Sequence, residues 1–339
     1  MNRKRLTLTT GAFAVLLVAV LSGLFALRGE RGSDSNLAEA GTLGDTAYVA
    51  NDRSKSVSVI DTNKNKTVGK PIKVGKGPRA LVAKPNGKRV YVANRASSNV
   101  SVIDTKKNKT VGKKTEVGRQ PRGITVSPNG KRVYTANRKS DDVSVIKTKN
   151  NKALSKTIKV GDAPHGIVAS PDGKRVYVAN NDDHTISIIS TKTKKMVGKP
   201  IKVGKEPQGV AISPDGSRLY VGNLASGTVS VIDTKKKKVV KTIGLFDPPV
   251  SLAITPDGSR VYTVGGDGVE VIDTAANTRV DSIDVNGDPN ALAFTSDGKR
   301  AYVVDRGGGR VWVIDTDENR TVGKPIKVGK DPRAVAIID

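Results

Sequence analysis

Ser170-Pro-Asp-Gly-Lys-Arg-Val-Tyr-Val-Ala-Asn180 is the stretch on which the fold turns. A polar corner, Pro171-Asp-Gly173, gives way to an apolar run, Val176-Tyr-Val-Ala179, closed by Asn180. Asp-Gly supplies the positive φ of a tight hairpin turn, and the β-branched and aromatic residues suit a strand packed on both sides. The same phrase returns along the chain. All seven tyrosines, Tyr48, Tyr91, Tyr134, Tyr177, Tyr220, Tyr262 and Tyr302, hold the equivalent position, at spacings of 43, 43, 43, 43, 42 and 40 residues. A period in this range marks a propeller blade or another stacked unit.

Working outward from Tyr177, the unit reads as four strands: Gly166 to Ala169, Arg175 to Ala179, Thr185 to Ile189, and Met196 to Val203. The last is lysine-rich and carries Pro200, which suits an exposed edge that must not pair further. The first unit starts at its second strand, Thr46 to Ala50, and the missing first strand arrives as Arg333 to Ile338. One blade is therefore built from both ends of the repeat, which closes a ring and removes open edges. The sequence predicts an all-β, seven-bladed β-propeller of four-stranded blades over residues 45–339.

These residues resemble a known family. Tyr-Val-Ala-Asn (Tyr48 to Asn51, Tyr91 to Asn94, Tyr177 to Asn180), Ser-Pro-Asp-Gly-Lys-Arg (Ser170 to Arg175) and Val-Ser-Val-Ile-Asp-Thr (Val100 to Thr105) are similar to the YVTN-type β-propeller repeat. The resemblance implies a propeller of surface-layer, secreted or periplasmic proteins, similar in fold to lactonase-like propellers and to the haem d1 domain of nitrite reductase. A fold hosts many chemistries, so the resemblance leaves function open.

Ahead of the repeat, Arg3, Lys4 and Arg5 precede an uncharged run from Leu6 to Leu27, 22 residues long. As a helix it would span ~33 Å, enough for a bilayer core of ~30 Å. Secretory leaders have a shorter apolar stretch with a small-residue cleavage site close behind it, whereas Ala38-Glu-Ala40 lies well beyond this one. Residues 1–27 are expected to be a signal anchor, with a removed signal peptide and secretion as the alternative. Residues 28–44 read as a flexible linker. Three positive charges before the run place that end in the cytoplasm and the propeller outside a single-pass membrane protein.

The formal charge of +26 is unevenly spread: residues 45–243 carry a net +28, and residues 244–319 a net −7. Such a basic sector attracts an anionic polymer, lipid head groups, or a small carboxylate or phosphate ligand. Aromatic residues make up only 4% of the chain, too few to interleave with the cations for base stacking, which argues against nucleic acid as a partner. Cysteine is absent, which removes thiolate chemistry and disulfides. A monomer is expected.

Strands alternate in direction, so the turns between the first and second and between the third and fourth strands share one face. That face reads as a cationic platform, with Lys88, Arg89, Lys131, Arg132, Lys174, Arg175, Lys299 and Arg300 in its hairpins. On the other face, the residue after each loop proline stands just before the innermost strand: Arg79, Arg122, His165, Gln208, Val250, Asn290 and Arg333. Ring closure brings Arg333 beside Arg79 and Arg122 in an arc suited to carboxylate or phosphate. The predicted anion-binding residues are thus Arg79, Arg122, His165, Gln208, Asn290 and Arg333. Of the two histidines, His165 is the only candidate general base. The recurring Asn51, Asn94, Asn137, Asn180 and Asn223 read as blade geometry, and the adjacent Asp182 and Asp183 as a solvated turn. No His-Glu-x-x-His, Gly-x-Ser-x-Gly or phosphate-cradling loop occurs, and no metal or cofactor is expected. The reading that follows is a non-enzymatic surface binding or scaffold protein for an anionic partner. The alternative is a lactonase- or lyase-like enzyme working at the channel mouth.

Overall fold

A computed structural model describes residues 45–338. The expected anchor at 1–27 and linker at 28–44 lie outside the described residues. Among the described residues no helix is long and apolar enough to cross a membrane. Seven antiparallel sheets follow one another as the blades of a propeller. The fourth comprises Pro164–Ala169 innermost, then Arg175–Asn180 and Thr185–Ser190, then an outer strand in two pieces, Lys195–Met196 and Ile201–Lys202. The break falls where Gly198 takes φ +70° and Pro200 withholds its N–H. In the fifth and sixth blades, where the same stretch is one residue shorter, the outer strand runs unbroken as Lys238–Gly244 and Thr278–Asp284.

The predicted closure is present. Pro332–Ile338 pairs antiparallel with Thr46–Asn51, from Thr46 opposite Ile338 to Asn51 opposite Pro332. Between blades the core is made by the second and third strands, whose Val and Ile side chains and all seven tyrosine rings are buried at 2% exposure or less. Five of the rings, those of Tyr48, Tyr91, Tyr220, Tyr262 and Tyr302, are also held at the seam by a hydrogen bond to an asparagine. Tyr48 Oη donates to Asn108 Oδ1 at 2.7 Å, Tyr91 to Asn151 at 2.8 Å, and Tyr302 to Asn65 at 2.6 Å, the last joining the seventh blade to the first. These asparagines sit in the left-handed region, φ 47° to 53°, at the turn before the outer strand of the next blade. Asn is among the few residues that tolerate that conformation.

The same seams correct the reading of the cationic platform. Arg175 Nη1 donates to the Thr234 carbonyl and Arg300 Nη1 to the Thr62 carbonyl of neighbouring blades, at 3.1 and 3.4 Å. Arg89 pairs with Asp104 within its own blade. Arg89, Arg175 and Arg300 are thus engaged in holding turns, and much of the exposed charge of the face is carried by lysines.

Candidate functional site at the channel mouth

In six blades the innermost strand opens with Pro-x and its pairing to the second strand slips there; in the sixth blade the strand begins at Ser251, after Pro249-Val250. Pro121 faces Asn137, yet Gly123 already faces Ala136, which leaves Arg122 as an extra residue; Arg79, Asn290 and Arg333 are placed in the same way. Such a bulge bends the strand and re-aims the extra side chain. Here it turns a ring of side chains into the axis. Arg79, Arg122, His165, Gln208, Val250, Asn290 and Arg333 all line one narrow cavity of about 180 Å³. The structure therefore brings together every residue of the predicted ring. The residues directly below are small because adjacent strands crowd the axis. A Cβ on Gly123 would lie 2.2 Å from the His165 carbonyl oxygen, and one on Gly166 would lie 2.1 Å from that of Gln208.

The ring is not uniform. Arg333 has a counter-ion: its Nη2 donates to the Asp331 carboxylate at 3.1 Å, its Nε lies 2.8 Å from the same group without aligning to donate, and its Nη1 donates to Asn290 Oδ1 at 3.2 Å. Arg79 and Arg122 have no ion pair among the described residues, and the buried Nε of Arg122 has no hydrogen-bond partner. Desolvation and then the neighbouring guanidinium groups lower Arg79 to about 9 and Arg122 to about 10. Desolvation, and then Arg79 and Arg122, push His165 well below the usual histidine range, opposed by a hydrogen bond to the Gln208 backbone. Both influences disfavour the charged imidazolium. An anion arriving here finds two positive groups with nothing to neutralise them.

A second ring, missed in the sequence, surrounds the first. It is the residue after the repeated asparagine: Asp52, Arg95, Arg138, Asn181, Leu224, Gly266 and Arg306. Arg138, Asn181, Leu224 and Arg306, with Asp182 and Glu206, line a vestibule of about 460 Å³ above the neck. Arg95 pairs with Asp52 at 3.8 Å and Arg138 with Asp182 at 3.6 Å, while both also depress Arg122. The first five of these positions recur at 43 residues, a period as regular as that of the tyrosines, and that regularity was the available signal. His184 is structural. Its Nδ1 accepts from the Glu206 backbone N–H at 3.1 Å and so fixes the loop that carries Glu206.

The repeated asparagines are buried and donate to the third strand, and in the first blade the asparagine also holds the loop, whereas the Oδ1 atoms of Asn94, Asn180 and Asn223 are without partners among the described residues. Asn51 is fully buried, donates to Ser56 and Ser58, and accepts from the Gly329 N–H at 3.2 Å, which pins the loop leading to Arg333. A Cβ on Gly75, Gly204 or Gly329 would meet such an asparagine at 2.5–2.7 Å, so glycine is required where the loop crosses it. Asp182 is paired as above and Asp183 accepts from the Asp162 N–H. Among the described residues no group of acids and histidines is arranged to hold a metal ion.

Residues 39–159 match the family model of lactonase, a 7-bladed β-propeller, and residues 133–265 match that of the cytochrome D1 heme domain. Each covers less than half of the chain. A haem would need an axial imidazole above an open apolar cleft. His165 is the only imidazole at the neck, and guanidinium groups crowd the narrow space around it, so the residues present do not fit that group. No curated protein matches the chain. Among solved structures, hydrazine synthase from Kuenenia stuttgartiensis is 24% identical with a TM-score of 0.69, over 77% of this chain and 95% of that one. A functionally unknown protein from Desulfotomaculum acetoxidans is 16% identical with a TM-score of 0.77, over 86% and 98%. A putative 6-phosphogluconolactonase from Bacteroides fragilis is 20% identical with a TM-score of 0.74, over 90% and 100%. At these identities the likeness speaks for the fold alone. The chain is a seven-bladed β-propeller whose leading blades are similar to those of the lactonase propellers.

Proposed function

We propose that the protein is a lactonase-like hydrolase that opens a carboxylate- or phosphate-bearing lactone at the channel mouth. The observation that carries this reading is that His165 shares one narrow cavity with Arg122 of the adjacent blade and Arg79 of the next, two guanidinium groups with no ion pair among the described residues. The partial match to lactonase propellers supports it over surface binding without chemistry. In this mechanism His165 takes a proton from water as the water oxygen bonds to the lactone carbonyl carbon. The carbonyl electron pair moves to oxygen, where Arg79 and Arg122 offset the developing charge. Collapse breaks the ring C–O bond, the imidazolium returns its proton to the departing alkoxide, and a hydroxy acid leaves as its carboxylate. Its Tyr-Val-Ala-Asn motifs also lead us to place the chain among YVTN-type propellers.

The test is hydrolysis of a panel of neutral, carboxylated and phosphorylated lactones, followed by proton release. Turnover should favour the anionic members. His165→Ala should lower kcat by ~10²-fold or more, and Arg122→Met should raise KM for anionic substrates. No turnover of any lactone by the unaltered protein overturns the reading. One observation favours a second reading, anion binding without turnover: among the described residues no carboxylate orients His165, whose assigned partner is the Gln208 backbone. Calorimetric binding of gluconate or phosphate with no turnover would select it.

A further inference from the structure

We propose that the face opposite the channel mouth docks on an anionic lipid bilayer, so that the mouth opens away from the membrane. Three observations on this face converge. The first is its charge. At the turns before the outer strands, Lys107, Lys149, Lys192, Lys235 and Lys236 stand exposed. Among the described residues the only lysine ion pairs are Lys64 with Asp61 at 3.8 Å and Lys174 with Asp172 at 3.9 Å, both local and long. Arg175, Arg260 and Arg300 are held in the seams and Arg89 and Arg218 are paired within their blades, whereas the five lysines have no ion pair among the described residues. The second is the point where the chain enters the propeller. Asp45 accepts from the Ser296 N–H at 2.7 Å through its side chain and from the Thr62 N–H at 3.2 Å through its carbonyl. Ser296 and Thr62 both belong to turns of this face. The third is what precedes that point. Only 17 residues, 28–44, separate Asp45 from the uncharged run Leu6 to Leu27. As a random coil, a stretch of that length would have a mean reach on the order of 20–25 Å.

A surface tethered so closely to an apolar segment meets the lipid head groups before any other partner, and five free lysines on four adjacent blades match their charge. Blades six and seven differ: the corresponding turns carry Ala275 and Ala276, and Asp317 and Glu318. Contact is therefore made through blades two to five. The inference does not rest on the hydrolytic reading and survives its failure.

The chain has no cysteine, so single ones can be placed at will. Thr193→Cys on the lysine face and Ala225→Cys on the mouth face, both at exposed positions, would be labelled with a fluorophore in the full chain. Vesicles would contain either phosphatidylcholine alone or equal parts phosphatidylcholine and phosphatidylglycerol, with a spin label on a fraction of the head groups. The label at 193 should be quenched, more strongly with phosphatidylglycerol present, and the label at 225 should not. Combining Lys107→Gln, Lys149→Gln, Lys192→Gln and Lys235→Gln should abolish the dependence on phosphatidylglycerol, about fivefold in affinity for each charge removed. Their exposed positions let the variant keep its melting transition, which is measured alongside. Equal quenching at 193 and 225, stronger quenching at 225, or indifference to phosphatidylglycerol overturns the proposal. Binding of polyphosphate through these lysines by a protein indifferent to the vesicles assigns the face to a soluble polyanion instead.

Discussion

Asn151 and Lys194 occupy the same corner of neighbouring blades and behave differently there. Both are held at positive φ, 53° and 56°. Asn151 accepts the Tyr91 hydroxyl, whereas opposite Lys194 the Tyr134 hydroxyl is buried without a partner, as is Nη1 of Arg132 beside it. A cavity of about 610 Å³ lies at the same seam, between Leu154 to Lys159 and Thr193 to Met196. Lys194→Asn should supply both the acceptor and a residue at ease in the left-handed region. We expect a gain of about 1–2 kcal/mol, read as a melting temperature higher by about 2 °C or more. No gain would mean that water already satisfies Tyr134. His165 makes a second prediction at this scale. The unfolded chain takes up its proton near pH 6.5, while the native imidazole resists until well below that. The unfolded state thus binds more protons as pH falls through that window, and native stability falls with it. His165→Gln should flatten this slope between about pH 7 and pH 5 in urea unfolding, and an unchanged slope would show that the imidazole is solvated.

At the scale of the strand, the mouth is set by the bulge that opens six of the seven inner strands. Gly123→Ala would drive a methyl group against the His165 carbonyl, so the strand must move and Arg122 with it. A loss of about 1–3 kcal/mol is expected from overpacking, with weaker binding of phosphate by calorimetry as the accompanying sign that the ring has been displaced. The sixth blade shows how the repeat was rewritten without losing its clamp. Gly265 stands where other blades have asparagine, because a Cβ there would lie 2.1 Å from the Pro248 carbonyl. Glu270, in place of the usual serine, instead accepts the Phe246 and Asp247 N–H groups at 3.0 and 2.9 Å and pairs with Arg279. In the seventh blade Asp305 serves the same purpose, accepting from Asp288 and Gly308 and pairing with Arg310. The four strands and the inner ring were legible because the fold repeats them in step with Tyr48 to Tyr302. The outer ring was as regular, but its residues change from Asp52 to Arg95 to Asn181 to Leu224, and side chains that differ in kind do not look like one site. Nor did the sequence show which arginines are free. Arg89 and Arg122 look alike until Asp104 is found beside one and no acid is found beside the other.

For the whole molecule, integrity rests on a single pairing, Thr46–Asn51 with Pro332–Ile338. Removing Arg333 to Asp339 leaves Thr46–Asn51 as an unpaired edge and takes Arg333 from the mouth. The truncated protein should aggregate or be cleaved rapidly in limited proteolysis, and an unchanged melting transition would refute the dependence on closure. The same pairing also orders events in time. Thr46–Asn51 is among the first strands to be synthesised and Pro332–Ile338 is the last, so the first blade waits, with its inner side open, for the whole length of the repeat. Six blades can assemble before Pro332–Ile338 has been made, but the first blade is complete only once that strand arrives. Until then Tyr48, Val49 and Ala50 present an apolar edge to whatever else is nearby. The ring therefore exchanges a permanent weakness at its edges for a brief one during biogenesis, the interval in which a chaperone has something to hold.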